Sequence, residues 1–297
     1  MHDMRSKDTF FSKNLSIKIK GELMDFSTPK VMGILNLSTD SFFDGGRYST
    51  LESISLRIDQ IVSEGADIID IGSVSSRPGA RVKSTIEEYD LLKPAVNMVK
   101  KKYPLLPVSI DTYNPVVAEN MVKEFNVDII NDISSGGESM EMFGVIARYN
   151  IPYIIMHMQG TPATMQKDPQ YADIISEVLL FFAEKTSKLK SLGISDIIID
   201  PGFGFGKTID HNYELMSYMN AYQCLEMPIL VGISRKSMIY KLLSVDPDKA
   251  LNGTTALNMI ALFKGANILR VHDVREATEV CRLFSKISSS EAASQIV

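Results

Sequence analysis

Hydrophobic residues along this chain fall into eight short, mostly β-branched runs, and most of the runs finish on a polar or ionisable residue. In order they are Val31–Asn36, Asp67–Gly72 with Asp70 inside it, Val108–Asp111, Asp128–Asp132, Tyr153–His157, Ile197–Asp200, Ile229–Ser234 and Ile268–His272. Runs this short and this rich in β-branched residues read as strands buried on both faces. Burial penalises a polar group that lacks a partner. Strands that repeatedly end on such groups therefore point to one shared, solvated mouth.

The segments between runs are long enough for crossover helices and carry helix-start signals. Ser49-Thr-Leu-Glu52 fits a capping box, followed by Leu51, Ile54, Ile58 and Ile61 at helical spacing. Ser84-Thr-Ile-Glu87 fits another, ahead of Leu91, Leu92 and Val99, and Asn114-Pro115 pairs an N-cap residue with proline at the first helical position. Further helices are predicted near 140–149, 171–192, 212–222, 251–263 and 274–285. The alternating Ser16-Ile17-Lys18-Ile19-Lys20 before Gly21 predicts a short hairpin within 15–26, placed to close the bottom of a barrel.

Eight strand–helix units in about 250 residues match a (β/α)8 TIM barrel with a short N-terminal β-hairpin. An open doubly wound sheet shares the alternation, but usually has fewer strands and a nucleotide-type glycine fingerprint. The organisation expected is a flexible N-terminus over 1–14, one barrel domain over 15–290 and a tail over 291–297. Active sites of such barrels lie at the C-terminal ends of the strands. That rule gathers Asn36, Asp70, Asp111, Asn131, His157, Asp200, Ser234, Arg270 and His272 at one mouth.

Composition narrows the partners. The net charge is −5 and no segment is dense in Lys and Arg, which argues against a nucleic-acid surface. No run approaches the ~18 apolar residues of a membrane span, and Met1–Asp8 lacks a signal core. Cys224 and Cys281 form neither a disulfide framework nor a zinc motif, so a soluble cytoplasmic protein is expected.

The polar strand ends suggest the chemistry. Asp111, Asn131 and Asp200 suit a ring rich in N–H donors and acceptors, since a carboxylate accepts two parallel N–H bonds and an Asn amide both donates and accepts. Asp111, just ahead of Asn114-Pro115, also has a plain reading as a helix cap. Arg270 and His272 alternate by two and share a face, and with Asn36 on the neighbouring first strand they make an anion and metal corner. A carboxamide oxygen suits Mg²⁺, which takes few protein ligands and keeps water and phosphate oxygens. Asp200-Pro-Gly-Phe-Gly-Phe-Gly-Lys207 is not a phosphate loop, because Pro201 stands where the Walker pattern needs glycine. Its glycines predict a flexible loop whose backbone approaches a flat ligand. Asp40–Gly46 and Ser75–Gly79 follow the first two strands as candidate closing loops.

In these motifs the chain resembles the dihydropteroate synthase family, from about Val31 to Val280. The resemblance rests on Met32–Asn36, Asp40-Ser-Phe, Asp70-Ile-Gly, Ser75–Gly79, Ser109–Thr112, Asn131-Asp-Ile, Met156–Gly160, Asp200–Lys207, Gly232–Ser237 and Arg270–Val274, in this order at successive strand ends. It implies a transferase of folate biosynthesis that condenses 6-hydroxymethyl-7,8-dihydropterin diphosphate with 4-aminobenzoate, giving 7,8-dihydropteroate and pyrophosphate. By the same resemblance Asp111, Asn131, Asp200 and Lys236 bind the pterin, and Asn36 holds Mg²⁺. Arg270 and His272, with Asn36, bind the diphosphate. Ser76, Arg77, Pro78 and Ser237 bind aminobenzoate; Asp111, Asp200, Lys236 and Arg270 make up the catalytic set. A homodimer and a sulfonamide target are implied as well.

Ser38-Thr39, Val74 and Ser76 depart from the commonest family pattern of Thr-Pro, Glu and Thr. These positions bear on aminobenzoate affinity and sulfonamide response, and leave the pterin and diphosphate groups intact. Two other readings fit the same residues. One is the related methyltetrahydrofolate:corrinoid methyltransferase, against which Ser75–Gly79 and Ser234–Ser237 speak. The other is a pterin-binding paralogue without catalysis.

Overall fold

The computed structural model describes residues 15–37, 50–73, 81, 83–137, 139–161 and 164–294, with the backbone alone over 291–294. The two candidate closing loops, with Ser38, Thr39, Val74, Ser76, Arg77 and Pro78, lie outside the described residues, as do 1–14.

The chain begins with an antiparallel hairpin, β1 (Ser16–Ile19) and β2 (Glu22–Asp25). There follow β3 (Lys30–Asn36), α1 (Leu51–Ser63), β4 (Ile68–Gly72), α2 (Thr85–Lys102), β5 (Val108–Asp111), α3 (Pro115–Phe125) and β6 (Ile129–Asp132). Next are α4 (Glu141–Tyr149), β7 (Tyr153–Met156), α5 (Ile174–Ser191), β8 (Ile197–Asp200), α6 (Ile209–Ser217), β9 (Leu230–Val231) and α7 (Ser237–Tyr240). Last come α8 (Leu251–Phe263), β10 (Ile268–Val271) and α9 (Val274–Ser294). Strands β3 to β10 pair in parallel, β10 lies beside β3, and a bridge between Ile199 and Ile229 joins β8 to the start of β9. This is the expected (β/α)8 barrel, nearly closed.

Most helix signals act where they were read. Ser84 and Glu87 make a reciprocal capping box on α2, and Asn114 caps α3 ahead of Pro115. On α1 the cap sits one residue later than predicted: Thr50 pairs with Ser53 in a capping box, and Ser49 lies outside the described residues. Leu51 is correspondingly exposed, whereas Ile54, Ile58 and Ile61 are buried. The stretch predicted as one helix over 212–222 is α6 followed by a 3-10 segment, Met219–Leu225.

Two cores divide the strands by a period of two. Residues such as Val31, Ile69, Ile110, Ile130, Tyr153, Ile199 and Leu269 pack outward against the helices. Met32, Ile68, Ile129, Ile154, Ile198, Leu230 and Ile268 point inward and fill the lower barrel, where Ile17, Ile19 and Phe26 of the hairpin segment plug them from below. The hairpin closes the bottom, as its sequence implied. Two residues further along, the same inward series places Asp70, Asn131, Met156, Asp200, Gly232 and Arg270 in the upper layer. The lower layer is apolar and the upper layer mostly polar. That switch builds the mouth.

Side chains just before β4, β6, β8 and β10 tie the lower rim. Asp67 accepts the Val31 N–H at 2.8 Å, Asp128 the Val108 N–H at 2.8 Å and Asn267 the Ile229 N–H at 2.9 Å. Asp196, in the same position before β8, accepts the Lys18 N–H at 2.9 Å and so anchors the hairpin. These residues satisfy backbone donors that the barrel rim would otherwise leave open.

Candidate active site

Asp111, Asn131, Met156, Asp200, Gly232, Lys236 and Arg270 line one cleft at the C-terminal end of the barrel, together with Tyr113, Ile133 and Phe205. All four residues assigned to the ring and Arg270 are therefore neighbours. Ile133, Met156 and Phe205 lie within the motifs quoted above without an assigned role, and Tyr113 lies just outside them.

Arg270 organises the floor. Its Nε donates to Asp70 Oδ2 at 2.7 Å and its Nη2 to Asp111 Oδ2 at 2.5 Å. Asn131 Nδ2 donates to the same Asp70 oxygen at 3.1 Å. Asp70 had no assignable role in the sequence. It is fully buried, and it links the amide on β6 to the guanidinium on β10. Arg270 thus turns toward Asp111, one of the carboxylates assigned to the ring, and toward the buried Asp70.

Charges in the cleft are tuned by withdrawal from water. Burial pushes the Asp111 carboxyl up to about 7, although Arg270 opposes the shift. Asp111 is no helix cap, because Asn114 fills that place. Asp200 is raised for the same reason against the pull of Lys236, and its Oδ1 accepts the Gly202 N–H at 2.8 Å. Burial lowers Lys236 to about 8 against the pull of Asp200. Its Nζ donates to the Phe203 carbonyl at 2.5 Å and lies 4.5 Å from the Phe205 ring centroid. Burial alone would loosen the Arg270 proton, but Asp70 and Asp111 outweigh it and raise its pKa.

The neighbouring strand ends hold the remaining residues. Asn36 ends β3, half-buried, and Ser237 opens α7. The His272 N–H donates to Ser234 Oγ at 3.2 Å, and burial with the nearby Arg270 charge lowers its imidazole to about 3. His272 is therefore neutral at pH 7. Among the described residues no group of three or more His, Cys, Asp or Glu could hold a metal ion.

His157 and the 201–207 loop behave differently from expectation. Burial and the Lys207 charge lower His157 to about 3, and its Nδ1 lies 2.9 Å from Lys207 Nζ. Lys207 Nζ also donates to the carbonyls of His157, Gly202 and Phe205 at 3.3, 3.0 and 3.1 Å. The loop is bound to its neighbours, not flexible: Gln166 holds the Gly204 carbonyl and Tyr171 the Gly206 carbonyl. Gly202 (φ 73°) and Gly206 (φ 60°) are needed because a Cβ would overlap the His157 and Gln159 carbonyls respectively. These two glycines serve protein packing, and Phe205 is the residue of this loop that lines the cleft.

The family model of pterin binding enzymes matches residues 32–272. The dihydropteroate synthase of Escherichia coli K12 is 40% identical over 274 residues, 92% of this chain and 96% of its own length. The chain belongs to the dihydropteroate synthase family. A Yersinia pestis dihydropteroate synthase structure with a sulfonamide drug superposes with a TM-score of 0.88 at 37% identity, covering 93% of this chain and 100% of that one. A Thermus thermophilus dihydropteroate synthase in complex with 4-aminobenzoate gives 0.81 at 34% identity, covering 91% and 99%. Membership makes this chain a transferase of folate biosynthesis with a pterin-binding barrel.

Proposed function

We propose that the cleft condenses 6-hydroxymethyl-7,8-dihydropterin diphosphate with 4-aminobenzoate. The observation that carries this reading is the convergence of Asp111, Asn131, Asp200, Lys236 and Arg270 on one cleft in a chain of this family. Asp111, Asn131 and Asp200 offer acceptors and a carboxamide to the pterin N–H edge, and Lys236 offers a donor to its ring. Arg270 spends Nε and Nη2 on Asp70 and Asp111, and we assign its Nη1 donors to the diphosphate. His272, neutral, gives that diphosphate an N–H donor without adding charge.

In the reaction the C–O bond between the pterin methylene and the diphosphate breaks, and a C–N bond to the arylamine forms. Negative charge grows on the leaving oxygen, where Arg270 and His272 act as preorganised donors. Positive charge grows on the methylene and spreads into the ring, where Asp111 and Asp200 offset it. Aminobenzoate is already a neutral amine, so no strong base is needed; the ammonium proton leaves after attack. We assign aminobenzoate to Ser76, Arg77, Pro78 and Ser237. The displacement is dissociative, with no covalent bond to the protein.

A single carboxamide, Asn36, at the end of β3 fits Mg²⁺, which completes its shell with water and phosphate oxygens. When bound, the ion would neutralise diphosphate charge. The reading also includes a homodimer. Ile260 and Phe263 on α8 and Leu283 and Ile287 on α9 are exposed, and Phe263 stacks edge-on with Phe284 at 5.2 Å. Such a contiguous apolar face suits a second copy of the chain. Cys224 and Cys281 are free thiols, in keeping with a cytoplasmic enzyme. Among the described residues no helix is long and apolar enough to cross a membrane.

The test is incorporation of labelled aminobenzoate with the pterin diphosphate and Mg²⁺. Labelled dihydropteroate and pyrophosphate in equal amounts are expected. Tight pterin binding without incorporation would overturn the reading in favour of a non-catalytic paralogue, and a trapped pterin–protein adduct on the normal path would overturn the dissociative step.

A further inference from the structure

Arg235 precedes Lys236, which lines the cleft, yet its own side chain runs the other way. Its backbone takes φ 54°, a left-handed conformation that a non-glycine residue keeps only where neighbours enforce it. The side chain and the N–H supply those contacts. Nε donates to Asp273 Oδ2 and Nη2 to Asp273 Oδ1, each at 2.7 Å, a two-pronged pair with both side chains mostly buried. Nη1 donates to the Asp248 carbonyl at 2.8 Å, and the Arg235 N–H donates to Thr254 Oγ1 at 3.0 Å.

Asp273 directly follows His272, so this pair joins the turn after β9 to the end of β10. The two segments meet again where the His272 N–H donates to Ser234 Oγ. On the far side, buried Arg57 of α1 donates from Nη2 to the His272 carbonyl at 2.6 Å. Both backbone polar groups of His272 and the carboxylate beside it are thus held from outside the cleft. On the other segment, the Lys236 N–H donates to the Ile233 carbonyl at 3.0 Å, which closes the turn that carries Lys236 inward.

We propose that Arg235 is a positioning residue: its pairing with Asp273 locks the Lys236 turn to the Arg270–His272 strand end, so that the ring-binding and anion-binding walls are set as one unit. The inference rests on the ligand assignments above. The Arg235 side chain approaches the cleft from behind, and its geometry is what a fork of five donors supplies and a lysine does not. A misplacement of 1 Å in such a wall costs up to about a hundredfold in rate.

The experiment compares Arg235→Gln, Asp273→Asn and the double variant with the parent, and adds Arg235→Lys as the milder change. Two probes read the walls separately in the full-length protein: 6-hydroxymethylpterin for the Lys236 side and magnesium pyrophosphate for the His272 side. Each single variant is expected to weaken both probes by about tenfold or more, with the double variant no worse than either, because one coupling has been broken twice. Amide hydrogen exchange without ligand supplies a readout independent of function: the Lys236 and His272 amides should lose protection together in every variant. Parent-like binding of both probes by a folded variant, additive losses, or loss of protection on one segment alone would overturn the proposal. If the parent binds neither probe, the ligand assignments fail, and the exchange result still decides whether the two segments are locked. If the glutamine variant does not fold, Arg235→Lys and Asp273→Asn carry the same comparison.

Discussion

Asp70 on β4 accepts the Arg270 Nε–H of β10 at 2.7 Å, across the intervening strand β3. The same Asp70 oxygen accepts from Asn131, so one fully buried carboxylate sets two residues of the cleft. Removing one partner of a buried ion pair leaves an uncompensated charge and typically costs about 3–5 kcal/mol. Asp70→Asn keeps the volume and removes the charge. Arg270 keeps Asp111 as a partner, so we expect only part of that cost in the rate: kcat/KM should fall by about 10–100-fold, or about 1.4–3 kcal/mol at roughly 1.4 kcal/mol per decade. Steady-state kinetics beside a melting curve check this, and an unchanged kcat/KM would release Asp70 from the site.

Asp111 supplies a pH dependence whose sign is determined. Its folded-state pKa, near 7, lies above the ordinary value of 3.8. The native state therefore binds more protons than the unfolded one between those values. Its contribution to ligand-free stability is complete below about pH 4 and is lost as the pH rises through 7. In the proposed function the ionised Asp111 carboxylate accepts from the pterin, so pterin affinity should weaken by about tenfold per unit as the pH falls below 7. Calorimetric titrations between pH 5 and 8 measure it; a flat profile would mean that Asp111 does not accept from the pterin.

Lys207 is expected to matter to stability first. Its ammonium donates to three carbonyls beside His157 Nδ1, in a setting where burial lowers its pKa to about 7. Lys207→Met removes the donors and leaves those acceptors dry. An orphaned buried polar group costs about 1–3 kcal/mol, so we expect a loss of about 2–4 kcal/mol in denaturant unfolding. The pterin KM should rise with it, because Lys236 binds the Phe203 carbonyl of the same loop.

Glycines offer a paired comparison. At Gly202 (φ 73°) a Cβ would strike the His157 carbonyl, whereas at Gly193 (φ 81°) a Cβ would meet nothing within 4 Å. Both substitutions meet the backbone penalty of about 1 kcal/mol, and only Gly202→Ala meets the clash. Gly193→Ala should remain folded with a slightly lower Tm. Gly202→Ala should be far less stable, and equal melting temperatures for the two would contradict the close approach.

The apolar face of α8 and α9 predicts its own disruption. Phe263 is 51% exposed and stacks on Phe284, so Phe263→Glu places a charge in the middle of the proposed dimer surface. Sedimentation should show a dimer for the parent and a monomer for the variant. A parent that sediments as a monomer would remove the dimer.

Much of this architecture was legible in the residues alone, and the reason is local. A buried strand alternates its faces with a period of two, so Ile68 and Asp70, Ile129 and Asn131, Ile198 and Asp200, and Ile268 and Arg270 announce an apolar lower layer and a polar upper one. The Ser84 and Asn114 caps and the hairpin were readable for the same reason, since each is decided within a few residues. What tertiary structure alone decided is which polar groups meet. Arg270 lies 200 residues from Asp70 and 159 from Asp111, and nothing in the spacing chooses these carboxylates over an open anion corner. Lys207 and Arg235 likewise turn toward carbonyls and a carboxylate that their neighbours in sequence do not foreshadow. Strand periodicity determines which way a side chain faces. Only barrel closure, by setting distances between strands far apart in the chain, determines its partner.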